Sequence, residues 1–306
     1  MTSGGTGMET GRKSGFVALL GRPNVGKSTM LNRILGARIA IVTAKPQTTR
    51  DRIVGIYTES RGQIIFLDSP GIHHPKRALN EYMVRTAERI AEEADVVVHI
   101  VDDRPRVSGE EENLVRGVLE RVSATRVLVV NKTDKVGVAA ADRMRKTMME
   151  DGLYSEGFLT SATEGAGVKE FLDFLFGLLP EGPSYYPEDE LTDLPMRFIA
   201  QEIIREKLFE FLSEELPYSV AVSIEEYQEN PEKNLIRIRA EVYVERESQK
   251  GMVIGRGGKM LRTIGTAARQ ELEKETGWRV YLDLFVKIEK DWSRKETMLR
   301  RLGYVG

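Results

Sequence analysis

Five short apolar runs punctuate the first part of the chain, at residues 16–20, 64–67, 96–101, 127–130 and 157–160. Each is continuous rather than alternating, the pattern of a strand covered on both faces. Between them, apolar residues recur every three or four positions over 27–35, 79–93, 110–122, about 139–150 and 168–179. These segments predict amphipathic helices, the first of them stopped by Gly36. Strands alternating with helices imply an α/β domain with a mostly parallel, doubly wound sheet over residues 15–180.

Pro180, Pro183, Pro187 and Pro195, interspersed with acidic residues, then interrupt both kinds of element, so 181–195 is expected to be a linker. Beyond it the order changes to helix (198–212), strand (218–227), strand (235–244), glycine-rich turn, helix (259–275), strand (280–289) and a closing helix (292–302). Asn230-Pro231 turns the chain between the first two strands. A smaller α+β domain with a three-stranded sheet is therefore expected over 196–306. Residues 1–14, MTSGGTGMETGRKS, have no apolar period and read as a flexible tail.

Composition narrows the chemistry. With 306 residues, 41% of them hydrophobic, two domains can each bury a core, and the absence of Cys excludes a disulfide framework, a thiolate metal site and a cysteine nucleophile. No apolar run reaches the ~18 residues that would span a bilayer, and the start lacks an apolar secretory core, so a cytoplasmic protein is expected. The net charge of −2 hides an asymmetry: residues 250–301 hold 13 Lys and Arg against 7 Asp and Glu, leaving 32 against 40 elsewhere. The basic end is where a polyanion would be met.

After the first strand comes Gly21-Arg22-Pro23-Asn24-Val25-Gly26-Lys27-Ser28, followed by Thr29 and a helix. This is a phosphate-binding loop: its glycines let backbone N–H groups face a polyphosphate at a helix N-terminus, Lys27 reaches the β- and γ-phosphates, and the Ser28 hydroxyl binds Mg²⁺. The strand at 64–67 ends in Asp68-Ser69-Pro70-Gly71, where Asp68 suits the magnesium water shell and the Gly71 N–H a γ-phosphate. In the polar segment Gln47-Thr48-Thr49-Arg50-Asp51, Thr49 is assigned as the second magnesium hydroxyl, with Thr48 as the fallback. Arg50 and Arg52 read as surface arginines, with charge-neutralising fingers the alternative. His73 and His74 have no third ligand at metal spacing and read as part of a mobile polar segment.

Base selection falls to Asn131-Lys132-Thr133-Asp134. Asp134 can accept hydrogen bonds from a guanine's N1–H and exocyclic amine, while Asn131 can satisfy the purine edge and brace the phosphate loop. Adenine lacks that donor pair and would leave the carboxylate unpaired, so a guanine nucleotide is expected. The backbone at Thr160-Ser161-Ala162 is positioned to meet the guanine oxygen.

In the basic end, Gly255-Arg256-Gly257-Gly258 precedes a helix, and with the order helix, strand, strand, G-x-x-G, helix, strand it fits a KH domain of type II. Lys250, Arg256, Lys259 and Arg262 are expected on RNA phosphates, with bases in an apolar groove lined by Ile254 and Ile264. The late segment with Trp292, Arg294, Lys295, Arg300 and Arg301 suits RNA contact, an anionic membrane surface or a solvated face.

Taken together, GRPNVGKS, QTTRD, DSPG, NKTD and TSA, with IIREKLFEFLSEELPYSVAV and VIGRGGKM after them, resemble the Era family of ribosome-assembly GTPases from about residue 15 to the end. Ser69 stands where many relatives carry Thr, without consequence for Asp68 and Gly71. The resemblance implies a GTP/GDP switch that binds the 3′ end of 16S ribosomal RNA and acts in small-subunit assembly, as a cytoplasmic monomer with peripheral membrane contact as an option. It also implies slow turnover, since Ile72 occupies the place where many GTPases carry a water-orienting Gln, and a K⁺ held near the phosphates by Asn24. A P-loop kinase acting on a small metabolite is disfavoured by N-K-T-D. A tandem GTPase is excluded by the single phosphate loop, and a pure RNA-binding module with vestigial nucleotide binding would show no multiple turnover.

Overall fold

A computed structural model describes residues 11–43, 45–75, 77–102 and 109–304. The chain forms two compact units. The first runs to Ala40 and takes in Asp51–His74 and Met83–Asp193, and the second comprises Ile41–Arg50, Pro75–Tyr82 and the chain from Leu194 onward.

The first part of the chain carries β1 (Lys13–Leu20), α1 (Lys27–Leu35), β2 (Ile53–Glu59), β3 (Gly62–Asp68), α2 (Ala78–Glu93), β4 (Val96–Val101), α3 (Gly109–Arg121), β5 (Thr125–Val130), α4 (Thr133–Val136), α5 (Val138–Met149), β6 (Glu156–Leu159) and α6 (Val168–Leu178). The strands form one sheet in the order β2-β3-β1-β4-β5-β6, and β2 pairs antiparallel with β3 while the other pairings are parallel. The continuous apolar runs have the cause their pattern implied. All six residues of β4 are buried, and Val17 to Leu20 of β1 are fully covered. Each such Val, Leu or Ile contributes roughly 1.5–3 kcal/mol of transfer free energy.

Two expectations change here. β1 starts at Lys13, inside the stretch read as a tail, because Lys13–Gly15 extends the register onto Gly62–Ile64; the first ten residues of that stretch lie outside the described residues. β2 has no counterpart among the predicted strands, since Gly55 and the polar Tyr57-Thr58-Glu59 end break its apolar run.

The second unit contains α7 (Met196–Phe211), β7 (Ala221–Asn230), β8 (Leu235–Val244), α8 (Glu247–Ile254), α9 (Lys259–Thr276), β9 (Arg279–Ile288) and α10 (Glu296–Arg301). Its sheet is ordered β7-β8-β9, with β7 and β8 antiparallel and β8 and β9 parallel. Ile204 and Leu208 of α7 and Ile264, Ala268 and Leu272 of α9 close over Ile238, Ala240 and Val242 of β8 as one core. Ile264 is fully buried there, so it belongs to the core and not to an RNA-facing groove.

The predicted closing helix is broken into a 3₁₀ turn, Trp292–Arg294, and the six-residue α10. Trp292 is fully buried, donating its indole N–H to Ser219 O at 2.9 Å, which removes it from any RNA or membrane surface. Arg50 is also not a surface arginine. It is 3% exposed, donates to Val220 O at 2.8 Å, and lies over the rings of Phe209 and Trp292. Arg52 is exposed beside Glu93 at 3.3 Å.

Candidate functional site

The turn from β1 into α1 is shaped by backbone that L side chains resist. Gly26 has φ 103°, and a Cβ there would lie 2.3 Å from the Asn131 Nδ2 atom. Gly26 is therefore required both for the turn and for the close approach of a neighbouring loop. It caps α1 with no side-chain hydrogen bond, so the first helical N–H groups face the loop without a capping side chain. Asn24 adopts the left-handed conformation at φ 65°. Arg22 is buried and lies 3.5 Å from Asp102 and 3.3 Å from Glu112. Val25 is in the core, and Thr29 and Pro23 are part-covered.

Lys27 is buried, and its ammonium donates to Gly21 O and Arg22 O, each at 3.1 Å. Burial pushes it down to about 8, partly countered by the nearby Asp68 carboxylate. The Ser28 hydroxyl donates to Asp68 Oδ2 at 2.6 Å. Hydroxyl and carboxylate side by side are hard oxygen donors of the kind that hold Mg²⁺ together with phosphate oxygens. Among the described residues no group of three His, Cys, Asp or Glu forms a metal cage. The donor set therefore fits a metal shared with a phosphate.

Downstream of Asp68, Ser69 donates to Leu19 O at 2.6 Å and the Ile72 N–H to Gly21 O at 3.2 Å. These bonds draw Pro70-Gly71 against the phosphate loop. A Cβ on Gly71 would lie 2.7 Å from the Pro23 backbone. Ile72 is fully buried, with no polar group to offer a water. His73 is buried with Nδ1 2.9 Å from Gly71 O, and burial lowers its pKa, whereas His74 is exposed toward Glu110. Thr49 is buried in the 41–50 segment, which belongs to the second unit, so its metal role rests on sequence order.

Asn131, at the end of β5, joins three loops through one carboxamide. Its Nδ2 donates to Val25 O at 2.9 Å, and its Oδ1 accepts from Ala162 N at 3.0 Å and the Thr160 hydroxyl at 3.3 Å. Lys132, left-handed at φ 65°, donates to Asp102 Oδ2 at 2.8 Å and to Asn24 O. The Thr133 hydroxyl and N–H both donate to Thr160 O at 3.1 Å. Asp134 Oδ1 accepts from the Ser161 hydroxyl at 2.7 Å, which holds its carboxyl below the usual range and keeps it an acceptor. The strand ends thus gather the predicted residues of the phosphate loop, the Asp68 turn and the two base loops.

In the second unit, Gly255, Gly257 and Gly258 all have positive φ, at 73°, 59° and 75°. A Cβ on Gly255 would come 2.6 Å from that of Met260, so the α8–α9 turn is built on glycine. Arg256, Lys259 and Arg262 are exposed, while Lys250 and Ile254 are half-buried. The inward row of the edge strand β9, Leu282, Leu284, Val286 and Ile288, is also only partly covered, and Gly265 of α9 sits against Leu284. The sequence reading placed these apolar residues on a strand over 280–289 but gave them no part in RNA binding, since the edge position of β9 follows from the sheet order. The basic side chains near the end are engaged locally: Lys295 with Glu289, Arg300 with Glu296, Arg301 over Tyr243.

The family model described as 50S ribosome-binding GTPase matches residues 16–132, and the KH domain model matches 215–293. The chain is 46% identical to GTPase Era of Geobacter metallireducens over 95% of this chain and 98% of that one, and 44% identical to GTPase Era of Carboxydothermus hydrogenoformans with the same coverage. Among solved structures it is similar to a point variant of Aquifex aeolicus Era bound to GDP·AlF4⁻, with a TM-score of 0.90 and 39% identity over 96% of this chain and all of that one. It is likewise similar to Era in complex with MgGDPNP and nucleotides 1506–1542 of 16S ribosomal RNA, with a TM-score of 0.89, 39% identity and the same coverage.

Proposed function

The chain belongs to the Era family of GTPases, and from that premise we propose that it is a GTP-driven switch that binds the 3′ end of 16S ribosomal RNA during assembly of the small ribosomal subunit. The observation that carries this reading is the Asn131 carboxamide, which ties the phosphate loop to the loop after β6 and so joins phosphate binding to base choice in one rigid frame.

In this reading Lys27 exchanges the Gly21 and Arg22 carbonyls for β- and γ-phosphate oxygens, and the N–H groups at the start of α1 face the same phosphates. Gly21 to Thr29 form the cradle. Ser28, Thr49 and Asp68 would hold Mg²⁺, which neutralises charge on the phosphates when bound. Gly71, flanked by Ser69, Pro70 and Ile72, offers its N–H to the γ-phosphate. Water attacks the γ-phosphorus and GDP leaves with the bridging oxygen. Ile72 cannot orient that water, so turnover is slow unless charge is added, and Asn24 would hold a K⁺ that adds it. Asp134 reads guanine N1–H and the 2-amine, the Ala162 N–H beside Ser161, shared with Asn131 Oδ1, reads O6, and Lys132 and Thr133 hold the loop.

Arg256, Lys259, Arg262 and Lys250 contact RNA phosphates around Gly255, Gly257 and Gly258, while Ile254 and the open β9 row receive bases. A protein working on ribosomal RNA works in the cytoplasm, here as a monomer. Contact of the basic end with a membrane surface is the weaker extension, because Lys295 and Arg300 are already paired. The test is the affinity for short single-stranded RNAs, including the 16S 3′-end sequence, with a GTP analogue, with GDP and without nucleotide. A severalfold dependence on nucleotide is expected, and equal affinity in all three states would overturn the switch.

A further inference from the structure

Arg33 sits in the last turn of α1, the helix opened by the phosphate loop, and reaches the loop after β6. Its Nε donates to Ala162 O at 2.9 Å and its Nη2 to Thr163 O. The same loop is held from its other side, where the Ala162 N–H donates to Asn131 Oδ1 at 3.0 Å. Ala162 therefore has both adjoining peptide planes fixed, one by Asn131 and the next by Arg33, and its φ and ψ have little freedom. Within the loop, Ser161 N bonds to Ala166 O at 3.0 Å and Gly165 N to Ser161 O at 2.7 Å.

Arg33 also lines two open cavities. One, of about 490 Å³, is lined by Thr29, Asn32, Arg38 and Ala162 among others, and the second, of about 350 Å³, by Tyr57, Glu59 and Asp173 among others. Glu59 and Asp173 pair with Arg61, and the Arg33 guanidinium donates to the two carbonyls. A planar fork of donors can take two successive carbonyls at once, which the ammonium of lysine cannot do with fixed geometry.

We propose that Arg33 is a positioning residue for guanine selection: by holding the peptide that follows Ala162 it fixes the residue whose N–H, donated to Asn131 Oδ1, is shared with O6 of the base, linking the last turn of the phosphate-loop helix to base recognition. This rests on the reading of Ala162 and Asp134 as the base site. A neutral loop N–H discriminates through placement, since a shift of an ångström or less removes most of a hydrogen bond. Arg33 touches no reacting atom, so its effect belongs to selectivity and not to the chemical step.

The test uses the full chain with Mg²⁺ at pH 7 and calorimetric affinities for GDP, 6-thio-GDP and magnesium pyrophosphate. Sulfur is a weak acceptor at the position of O6, while N1–H and the 2-amine are retained, so the GDP to 6-thio-GDP ratio isolates the O6 contact. In the unaltered protein GDP should bind more tightly than its thio analogue. Arg33→Ala should lower that ratio at least threefold with pyrophosphate affinity unchanged, and Arg33→Lys should recover part of it. An unchanged ratio, or equal losses for all three ligands, would overturn the proposal, the latter showing only a damaged helix. The underlying base site is checked separately with Asp134→Asn, whose amide can donate to a 2-oxo group and should shift preference from GDP to xanthosine diphosphate. No such shift would overturn the base-site reading itself, whereas a shift accompanied by an unchanged thio ratio in Arg33→Ala would overturn Arg33 alone.

Discussion

Raising the pH above 8 should weaken nucleotide binding through one side chain. Burial lowers Lys27 to about 8 from an ordinary 10.5, so at neutral pH the nucleotide-free loop carries an ammonium whose burial costs about 3 kcal/mol relative to water. That cost is net, the carbonyls of Gly21 and Arg22 and the nearby Asp68 already offsetting part of the burial. Bound phosphates favour the charged form, so the complex keeps its proton at a pH where the free folded protein has lost it. The sign follows: above the free-state value binding takes up a proton, and affinity falls as pH rises. With that value, uptake is about 0.1 proton per nucleotide at pH 7 and about 0.75 at pH 8.5, and affinity drops about tenfold between pH 7 and pH 9. The terminal phosphate, with its second pKa near ~6, is already ionised in the upper half of this range. Calorimetry of GDP binding at pH 8.5 in two buffers of very different ionisation enthalpy measures the uptake directly. Uptake below about 0.2 proton at that pH would show that the lysine remains charged in the empty loop, and the account of its burial would be wrong.

Three further outcomes are expected. Multiple-turnover GTP hydrolysis should be faster in K⁺ than in Na⁺ at equal ionic strength and lose that difference in Asn24→Ala; equal rates in the two salts would remove the cation from the mechanism. Gly255→Asp should abolish binding of single-stranded RNA while leaving GDP affinity intact, and Arg256→Gln with Lys259→Gln should flatten the salt dependence by about 0.7 for each lost phosphate contact. His99, fully buried with Nδ1 2.8 Å from the Tyr154 hydroxyl, is pushed down to about 3, so the unfolded chain binds the extra proton below about 6.5 and stability falls as the pH drops. Urea unfolding should lose about 2 kcal/mol through His99 between pH 7 and pH 5. Glu112, raised by burial and 3.3 Å from Nε2, works in the opposite direction, so the comparison is with His99→Gln, in which the histidine contribution vanishes and the loss on acidification should disappear.

The parallel strands were legible because a strand covered on both faces leaves a run of Val, Ile and Leu, and β4 shows this in every residue but His99. The loops at the strand ends were legible for a related reason. Phosphate and base contacts are made by backbone and short side chains, so the chemistry demands particular residues at fixed spacing, and Gly26 or Asn131 has no substitute of similar shape. β2 was not legible. It lies at the sheet edge, and Gly55 sits where a Cβ would press on the Leu31 and Leu35 side chains of α1, at 2.5 and 2.7 Å. A residue chosen for closeness to a helix interrupts the very pattern by which strands are read.

The larger misreadings share one cause, which is that a side chain's polarity predicts its exposure only when nothing distant can satisfy it. Arg50 reads as surface because arginine usually is. In the fold its donors meet the carbonyls of Val220, Pro217 and Tyr218, and its flat cation lies over Phe209 and Trp292, partners 159 or more positions along the chain. Trp292, in turn, sits among basic residues and reads with them as part of an RNA-contacting, membrane-facing or solvated surface, yet it is the largest fully buried side chain among the described residues. Each is misread because the other is out of sight in a linear reading: the ring covers the cation, and the cation occupies the ring's face. Local pattern therefore assigns elements and phosphate chemistry well, and fails where a charge and an aromatic surface cover one another. Arg50→Met would test this directly, since it keeps the bulk but leaves three carbonyls without their donor. A loss of about 3 kcal/mol in urea unfolding is expected, whereas a neutral result would mean that the buried cation gives back no more than its desolvation takes.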